Sequence, residues 1–291
     1  MSPLRGNAEP GSKAAMETTL FFGHALAGEV DARTRSLIAG LGQAPRCTVL
    51  LNPDDPAMMA YARRQRAAAE ALGIALTLEP YAPDAERVQQ QLLRLSEDPA
   101  VDAAVTLYPL PAGLDPVTAA RRIGPERDVD GLHSLNVGLA ALGDHAAAPA
   151  TARACLLVAT ALAPALKGAE VVIVGASRLV GRPLANLLLD AEATVTLCHA
   201  ATRKLADHTQ RADVVVSAAG VPGLIGADDI RAGAVLIDVA VTRQGDGLVG
   251  DVDLASVQGK AAVVTHVPDG VGPVTTACLF ENVARAAATR T

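Results

Sequence analysis

The sequence predicts an α/β protein of two domains, in which helices cover both faces of parallel β-sheets. Short apolar, β-branched segments alternate with segments of helical periodicity, which is the pattern of strand–helix–strand units. The alternation pauses near residue 127 and resumes after a long Ala- and Leu-rich helix, and 291 residues suffice for two separate cores. We therefore expect a disordered tail over 1–18, a first domain over 19–148, a second domain over 149–274 and a final helix over 275–291.

The elements of the first domain follow from periodicity and from helix and strand breakers. Apolar residues such as Val30, Leu37 and Leu41 recur at helical spacing, whereas residues 47–51 form a short β-branched run that ends in an Asn-Pro-Asp-Asp-Pro loop. Gly73 ends the next helix. The predicted elements are, in order, a helix over 29–41, a strand over 47–51, a helix over 57–72, a strand over 74–78, a helix over 83–96 and a strand over 101–107.

The second half of the chain begins after a loop-rich segment over 127–148, for which no regular element is predicted. The run 171–174 is continuously apolar, which is typical of a parallel strand buried on both faces. The predicted elements are, in order, a helix over 151–166, a strand over 171–174, a helix over 182–189, strands over 194–198, 214–217 and 235–239, and an Ala-rich helix over 275–288.

Composition excludes several classes of protein. A formal net charge of −6 gives no broad positive surface for nucleic acid, and the longest apolar runs fall short of the roughly 20 residues that span a bilayer. The four cysteines are far apart and none lies in a C-x-x-C pair, so neither a zinc site nor a disulfide framework is signalled. Residues 1–15 lack the apolar core of a secretory signal. We expect a cytoplasmic protein without a metal, with Met1 or Met16 as its native start.

A glycine-bearing loop, from Gly175 to Gly181, follows an apolar strand and precedes a helix with Pro183 near its first turn. In this context the glycines allow a tight turn and close packing of helix on strand, and the helix N-terminus offers unpaired N–H groups to a pyrophosphate. The loop is a variant of G-x-G-x-x-G, with Ser177 at the middle position and one extra residue. It predicts a Rossmann-like dinucleotide-binding domain, and the alternative is a Gly-bearing turn that binds no nucleotide.

The residues after the next strand bear on the choice between NAD and NADP. Roughly twenty residues beyond the loop, where an NAD enzyme usually carries a carboxylate for the ribose, the chain reads Cys198-His199-Ala200-Ala201-Thr202-Arg203-Lys204. Arg203 and Lys204 favour NADP weakly, because basic residues accept a 2′-phosphate. They are equally consistent with a solvated helix start.

Several segments, found in one order, resemble the methylenetetrahydrofolate dehydrogenase/cyclohydrolase family over about residues 20–288. The segments are Asp128-Val129-Asp130-Gly131, Asn136-Val137-Gly138, the loop 175–181 with Arg182-Pro183, Ala193-Thr194-Val195-Thr196 with Cys198-His199, Gly250-Asp251-Val252-Asp253, and Gly270-Val271-Gly272-Pro273 with Thr275. The resemblance implies a folate cleft between the two domains, a final helix that packs back on the first domain, and a homodimer. It also implies a reduced folate as substrate and NADP or NAD as cofactor.

The family places a tyrosine and a lysine four residues apart on one helix face, and a glutamine partners the lysine. Here the tyrosine is Tyr61, the lysine position holds Gln65 and the glutamine position holds Leu107. Gln65 does not titrate and the Leu107 side chain offers no hydrogen bond. The cyclohydrolase step is therefore expected to lose general acid–base catalysis, which contributes a factor of roughly 10²–10⁴ to the rate. Tyr108 and Asp269 are the new titratable candidates.

The resemblance also assigns binding positions. Asp130 matches the carboxylate that holds the pterin and Tyr61 matches the aromatic residue that lines the folate, with a loop-capping aspartate and a core tyrosine as the structural alternatives. The predicted catalytic residues are Tyr61, Gln65 and Asp130. Further predicted substrate-binding residues are Leu107, Tyr108, Asp269, Gly270, Pro273 and Thr275. The predicted cofactor-binding residues are Gly175, Ala176, Ser177, Arg178, Gly181, His199, Ala219 and Val241.

Two further departures concern the cofactor. The family often holds the 2′-phosphate of NADP with an arginine and a serine, and both positions are alanine here, Ala176 and Ala200. The first expectation is a methylenetetrahydrofolate dehydrogenase with weak or lost cyclohydrolase activity. The alternatives are a repurposed enzyme that transfers a one-carbon unit without net redox chemistry, and a folate- or nucleotide-binding protein without catalysis.

Overall fold

The computed structural model describes residues 17–82, 84–245 and 247–290. Residues 1–16 of the predicted tail lie outside the described residues. The helices are α1 His24–Ala39, α2 Pro56–Leu72, α3 Ala85–Glu97, α4 Pro116–Ile123, α5 Ser134–Ala141, α6 Ala150–Leu162, α7 Gly181–Asp190, α8 Leu205–Thr209, α9 Leu254–Val257 and α10 Val271–Ala288. The strands are β1 Thr19–Phe21, β2 Arg46–Leu51, β3 Ala75–Pro80, β4 Ala103–Thr106, β5 Glu170–Val174, β6 Thr194–Cys198, β7 Val214–Ser217, β8 Val235–Asp238, β9 Thr242–Gln244, β10 Gly247–Val249 and β11 Val263–Thr265.

Two parallel sheets form the framework, and the predicted α/β class is confirmed. The smaller sheet has the order β3-β2-β4 and the larger sheet has the order β1-β11-β8-β7-β5-β6, with every neighbouring pair parallel. The strands β9 and β10 form a separate antiparallel hairpin. Among the described residues, no helix is both long enough and apolar enough to cross a membrane.

The first described strand, β1, lies in the larger sheet. Thr19, Leu20 and Phe21 pair with Val263, Val264 and Thr265 of β11. Residues 19–21, which the sequence analysis assigned to the first domain, therefore form an edge strand of the larger sheet beside β11.

The segment 127–148, predicted to be without regular structure, contains α5 and a short 3₁₀-helix, His145–Ala147. The His133 ring accepts a hydrogen bond from the Leu135 amide at the start of α5. Tertiary contact with α7 supports this helix despite the glycine at its centre, which lowers intrinsic helix propensity. The helix α4 was also not predicted, and it begins at Pro116 behind the capping carboxylate of Asp115.

The final helix α10 begins at Val271, four residues earlier than predicted. Pro273 falls in its first turn, where a missing N–H leaves no bond unmade. The helix packs against α1 and α6 and contributes Phe280 and Val283 to a hydrophobic core that is continuous from the first sheet to the second. It therefore joins the two halves of the molecule.

A buried ion-pair network fastens α10 to its neighbours. Glu281 is 1% exposed and pairs with Arg153 of α6, with Arg33 of α1 at 3.5 Å and with Arg285 at 3.3 Å. Next to it, the Asn282 amide donates to the Val129 carbonyl at 2.9 Å. The helix thereby holds the loop that carries Asp130.

Candidate active site

A cavity of about 200 Å³ lies where the two halves of the chain meet. Six of the predicted site residues line it: Tyr61, Gln65, Leu107, Tyr108, Asp130 and Thr275. Leu179 and Val180 of the glycine-bearing loop close its other side. The fold therefore brings the predicted catalytic positions next to the predicted nucleotide loop.

Gln65 is the most unusual residue of this cavity. It is 1% exposed, and among the described residues no donor reaches its side-chain oxygen Oε1. Tyr61 lies one helical turn earlier on α2, and its hydroxyl interacts electrostatically with the side chains of Gln65 and of Thr276 on α10. The α-helical spacing places both side chains on the face of α2 that borders the cavity.

The opposite wall follows the end of β4. Leu107 is 5% exposed, its amide donates to the Leu50 carbonyl, and its own carbonyl accepts a hydrogen bond from the Tyr81 hydroxyl. Tyr108 follows, joined to Pro109 by a cis peptide bond. Burial, together with the nearby carboxylate of Asp130, raises the pKa of both Tyr81 and Tyr108, so both phenols remain protonated at neutral pH.

Asp130 has a free carboxylate, whereas its neighbour Asp128 is fully engaged. Asp128 accepts hydrogen bonds from the His133 amide at 2.6 Å and from the Asn136 side chain at 3.0 Å, so it is the residue that holds the loop. Among the described residues, no group donates to Asp130, which is half-buried. Burial and the charge of Asp128 raise the pKa of Asp130 to about 7.

A second cavity, of about 470 Å³, adjoins the first and shares Tyr61 with it. The predicted substrate-binding residues Asp269 and Pro273 line this cavity, together with Arg64 of α2. Val241, predicted to bind cofactor, also lines it.

Gly270, a predicted substrate-binding residue, is placed differently. It is buried, and a Cβ atom there would lie 2.7 Å from the His266 carbonyl oxygen, while a Cβ on Gly23 would lie 2.0 Å from the Gly270 oxygen. This position therefore requires glycine for backbone packing.

The glycine-bearing loop is folded tightly at the start of α7. Gly175 has a φ of +118°, and a Cβ on it would lie 2.3 Å from the Ala218 oxygen. A Cβ on Gly181 would lie 1.8 Å from the Gly175 oxygen, so only glycine allows the strand and the helix to approach so closely. The Ser177 hydroxyl accepts from the Val180 amide, and Arg182 donates to the Ala176 carbonyl. Arg178 is exposed on this loop.

The loop after β7 is organised by a residue that the sequence analysis quoted but did not assign to the site. Asp251 is fully buried and accepts hydrogen bonds from the amides of Ala219 and Val221, each at 2.7 Å, and from the Ser217 hydroxyl at 2.7 Å. This fixes the backbone around the predicted cofactor residue Ala219. The available signal was an aspartate in a Gly-Asp-Val-Asp segment, and its distant partners could not be read from it.

The loop after β6 contains the predicted cofactor residue His199. Its ring accepts a hydrogen bond from the Ala201 amide, and its own amide donates to the Thr202 hydroxyl. Arg203 and Lys204 are exposed, and α8 starts directly after them at Leu205. Their position fits the solvated helix start that the sequence left open.

Comparison with known proteins agrees with this arrangement. Residues 21–130 match the catalytic domain of the tetrahydrofolate dehydrogenase/cyclohydrolase family, and residues 149–291 match its NAD(P)-binding domain. The bifunctional protein FolD of Nocardia farcinica is 45% identical over 281 residues, which cover 94% of this chain and 98% of the relative. FolD of Acidiphilium cryptum is 41% identical over 279 residues, 94% of this chain and 100% of the relative.

Solved structures give the same result. The bifunctional FolD of Campylobacter jejuni superposes with a TM-score of 0.87 at 33% identity and covers 94% of this chain and 100% of its own. The enzyme of Trypanosoma brucei, solved with NADP and an inhibitor, superposes with a TM-score of 0.85 at 32% identity, with coverages of 94% and 98%. The chain belongs to the tetrahydrofolate dehydrogenase/cyclohydrolase family.

Proposed function

We propose that this protein oxidises 5,10-methylenetetrahydrofolate to the methenyl form with NAD or NADP and has weak or no cyclohydrolase activity. The observation that carries the proposal is one cavity lined both by Asp130 and by the glycine-bearing loop, with Gln65 and Leu107 at the positions of the family's lysine and glutamine. Hydride transfer requires chiefly that the folate and the nicotinamide be oriented next to each other. Asp130 and Tyr61 on one side of the cavity and the glycine-bearing loop on the other can orient them.

The folate is held in this proposal by both cavities. The pterin ring presents adjacent N–H donors, and Asp130 is a half-buried acceptor without a partner among the described residues. Tyr61 lies between the two cavities and lines the path of the aminobenzoate. Arg64 in the larger cavity supplies a positive charge that can pair with the glutamate carboxylates.

The loop 175–181 and the N-terminus of α7 suit the pyrophosphate of a dinucleotide, because glycine at positions 175 and 181 lets the end of β5 and the start of α7 lie in close contact, and the positive end of the α7 dipole lies at this loop. Ala219, fixed by Asp251, and His199 border the same end of the sheet. When bound, the nicotinamide supplies a hydride acceptor. With alanine at positions 176 and 200, we propose that neither NAD nor NADP is strongly preferred.

The loss of cyclohydrolase activity follows from what surrounds the reacting carbon. Hydrolysis of the methenyl group needs a water molecule and a group that moves protons as the ring opens. Leu107 gives that water no hydrogen bond, and the raised pKa of Tyr108 makes this phenol a poor base at neutral pH. Asp269 lies in the adjoining cavity.

Two assays test the proposal. Reduction of NAD or NADP with methylenetetrahydrofolate measures the dehydrogenase, and its absence would favour one-carbon transfer without redox chemistry or a binding role. Loss of the methenyl chromophore, corrected for uncatalysed hydrolysis, measures the cyclohydrolase. The double substitution Gln65→Lys with Leu107→Gln should raise hydrolysis by more than the product of the two single effects, because the lysine needs the glutamine for orientation. Efficient hydrolysis by the unmodified protein would contradict the proposal.

We further propose a cytosolic homodimer. The four cysteines are buried and free, which suits a reducing compartment, and the family resemblance supports the dimer. Sedimentation equilibrium of the purified protein tests the oligomeric state.

A further inference from the structure

The side-chain oxygen of Gln65 is a buried acceptor that has no donor among the described residues, and Gln65 is one of the residues that line the cavity of about 200 Å³. Leaving such a group unpaired inside a protein costs free energy, and folded proteins rarely retain one without a function. Gln65 sits in the middle of a helix whose neighbouring positions, Ala62 and Ala69, are fully buried and apolar. A methionine would fill the same space at this position without the cost, so the orphan oxygen points to a ligand.

The Gln65 side chain is enclosed by its neighbours, since the residue is only 1% exposed. Tyr61, one helical turn earlier, lines the same cavity and interacts electrostatically with the Gln65 side chain. Leu107, Val105 and Leu279 provide apolar surface around the same cavity. A carbonyl dipole in such surroundings interacts with a charge far more strongly than it would in water.

The proposed reaction creates a charge in this cavity. A C–H bond of the methylene carbon between N5 and N10 breaks, and the hydrogen leaves with both electrons to the oxidised nicotinamide, which is reduced. The nitrogen lone pairs then delocalise into the carbon, and the folate passes from a neutral N–C–N unit to a cationic methenyl unit. No proton is taken up or released. An amine cation near this carbon would oppose the change, whereas the negative end of a carbonyl dipole favours it.

We propose that Gln65 Oε1 stabilises the positive charge that develops on the N5–C–N10 unit during hydride removal, and that it makes this site selective for the cationic oxidised folate. The inference rests on the proposed function. The cavity of about 200 Å³ spans Asp130 at the pterin end and Val180 at the nucleotide loop, so a reacting carbon between them lies beside Gln65. The residue is thus a catalytic group for oxidation at the position where the family carries its lysine.

Equilibrium binding without nicotinamide tests the inference. The probes are 5,10-methylenetetrahydrofolate and 5,10-methenyltetrahydrofolate, which differ by one hydride and one charge. The ratio of their dissociation constants is measured at one pH by rapid-mixing fluorescence, before the methenyl form hydrolyses. The variants are Gln65→Met, which keeps length and removes the dipole, and Gln65→Glu. The control is Gln90→Met, the same exchange at an exposed position of α3.

We expect Gln65→Met to lower the preference for the cation by about tenfold or more, in line with hydrogen bonds and dipoles that act on charges. Gln65→Glu should restore or increase that preference, and Gln90→Met should leave it unchanged. The kcat of the dehydrogenase should fall with the preference in Gln65→Met while the KM for the nicotinamide cofactor stays constant.

The outcomes separate the two proposals. If both folates bind but the ratio is the same in the parent protein, Gln65→Met and Gln65→Glu, the role of Gln65 is wrong while folate binding stands. If neither folate binds to the parent protein, the proposed function fails and this inference fails with it. Circular dichroism of each variant establishes that the fold is intact before binding is compared.

Discussion

Replacing Glu281 by glutamine should destabilise the protein by about 3 kcal/mol. The Glu281 side chain is 2% exposed and the Arg153 side chain is 13% exposed, so the change leaves a buried guanidinium without its counter-charge. Breaking a buried pair by removing one partner costs about 3–5 kcal/mol. Arg33 and Arg285 are 50% and 44% exposed, so their share is small, and the glutamine still accepts one hydrogen bond. The expected loss of stability is therefore about 3 kcal/mol, at the lower end of the range for a broken buried ion pair.

The assay is urea unfolding followed by far-UV circular dichroism, with Glu29→Gln, an exposed position of α1, as control. The control should change the free energy of unfolding by no more than about 0.5 kcal/mol. For Glu281→Gln the midpoint should fall with little change in slope. A heat scan should show a loss of roughly 2–4 °C for each kcal/mol.

The effect should depend on pH in a defined direction. Burial works to raise the pKa of Glu281, but Arg153 and the two neighbouring arginines outweigh it and hold the pKa below the ordinary value of 4.5. A carboxylate with a lowered pKa contributes stability that is complete above its unfolded pKa and is lost as pH falls through the folded pKa. The difference between parent and variant should therefore be constant from about pH 6 to 8 and shrink below 4.5. A difference under about 1 kcal/mol at neutral pH would refute the reasoning.

Three other results are expected. Folate affinity should be constant above pH 7 and fall about tenfold per pH unit below it, because Asp130, with its pKa raised to about 7, accepts hydrogen bonds from the pterin only when ionised; a flat profile, or a pH dependence that persists in Asp130→Asn, would contradict this. Gln65→Met should raise the free energy of unfolding by about 1 kcal/mol in urea titrations, because it removes an unpaired buried acceptor; a loss of stability would show that the oxygen has a partner. The kcat/KM ratio between NADP and NAD should stay within about a hundredfold; a larger preference for NADP would indicate a phosphate clamp, which Ala variants of Arg178 and Arg203 would locate.

Elements with a strong local signal were predictable, and those that depend on tertiary contact were not. The central strands β5, β7 and β8 of the larger sheet could be read because each is mainly an apolar run, and β6 and β7 have the predicted bounds, whereas β11 was not predicted. The strand β1 has only three residues, too few for any periodicity, and its pairing partner lies more than 240 positions away. The helix α5 contains Gly138 and Asn136, which disfavour a helix locally, and contacts with α7 decide its conformation.

The candidate site divides in the same way. The motif positions that place Tyr61, Gln65, Leu107 and Asp130 in one cavity could be anticipated because they follow a family pattern, even where the residue types differ. The roles of the supporting residues could not be anticipated. Asp251 accepts hydrogen bonds from backbone amides of a loop about thirty residues earlier in the chain, and no local sequence pattern indicates such a contact.

The placement of β1 has a consequence for dissecting the molecule. A fragment that ends at residue 149 would contain the strand 19–21 but not its pairing partner β11. It would also lack α10, against which α1 packs. The complementary fragment would retain a sheet whose outer edge had lost its covering strand, and open strand edges favour aggregation. Exchanging the nucleotide-binding half with that of a relative would therefore require the first strand to be exchanged with it. The two halves have different functions, but β1 of the first half pairs in the second sheet and α10 of the second half packs against α1.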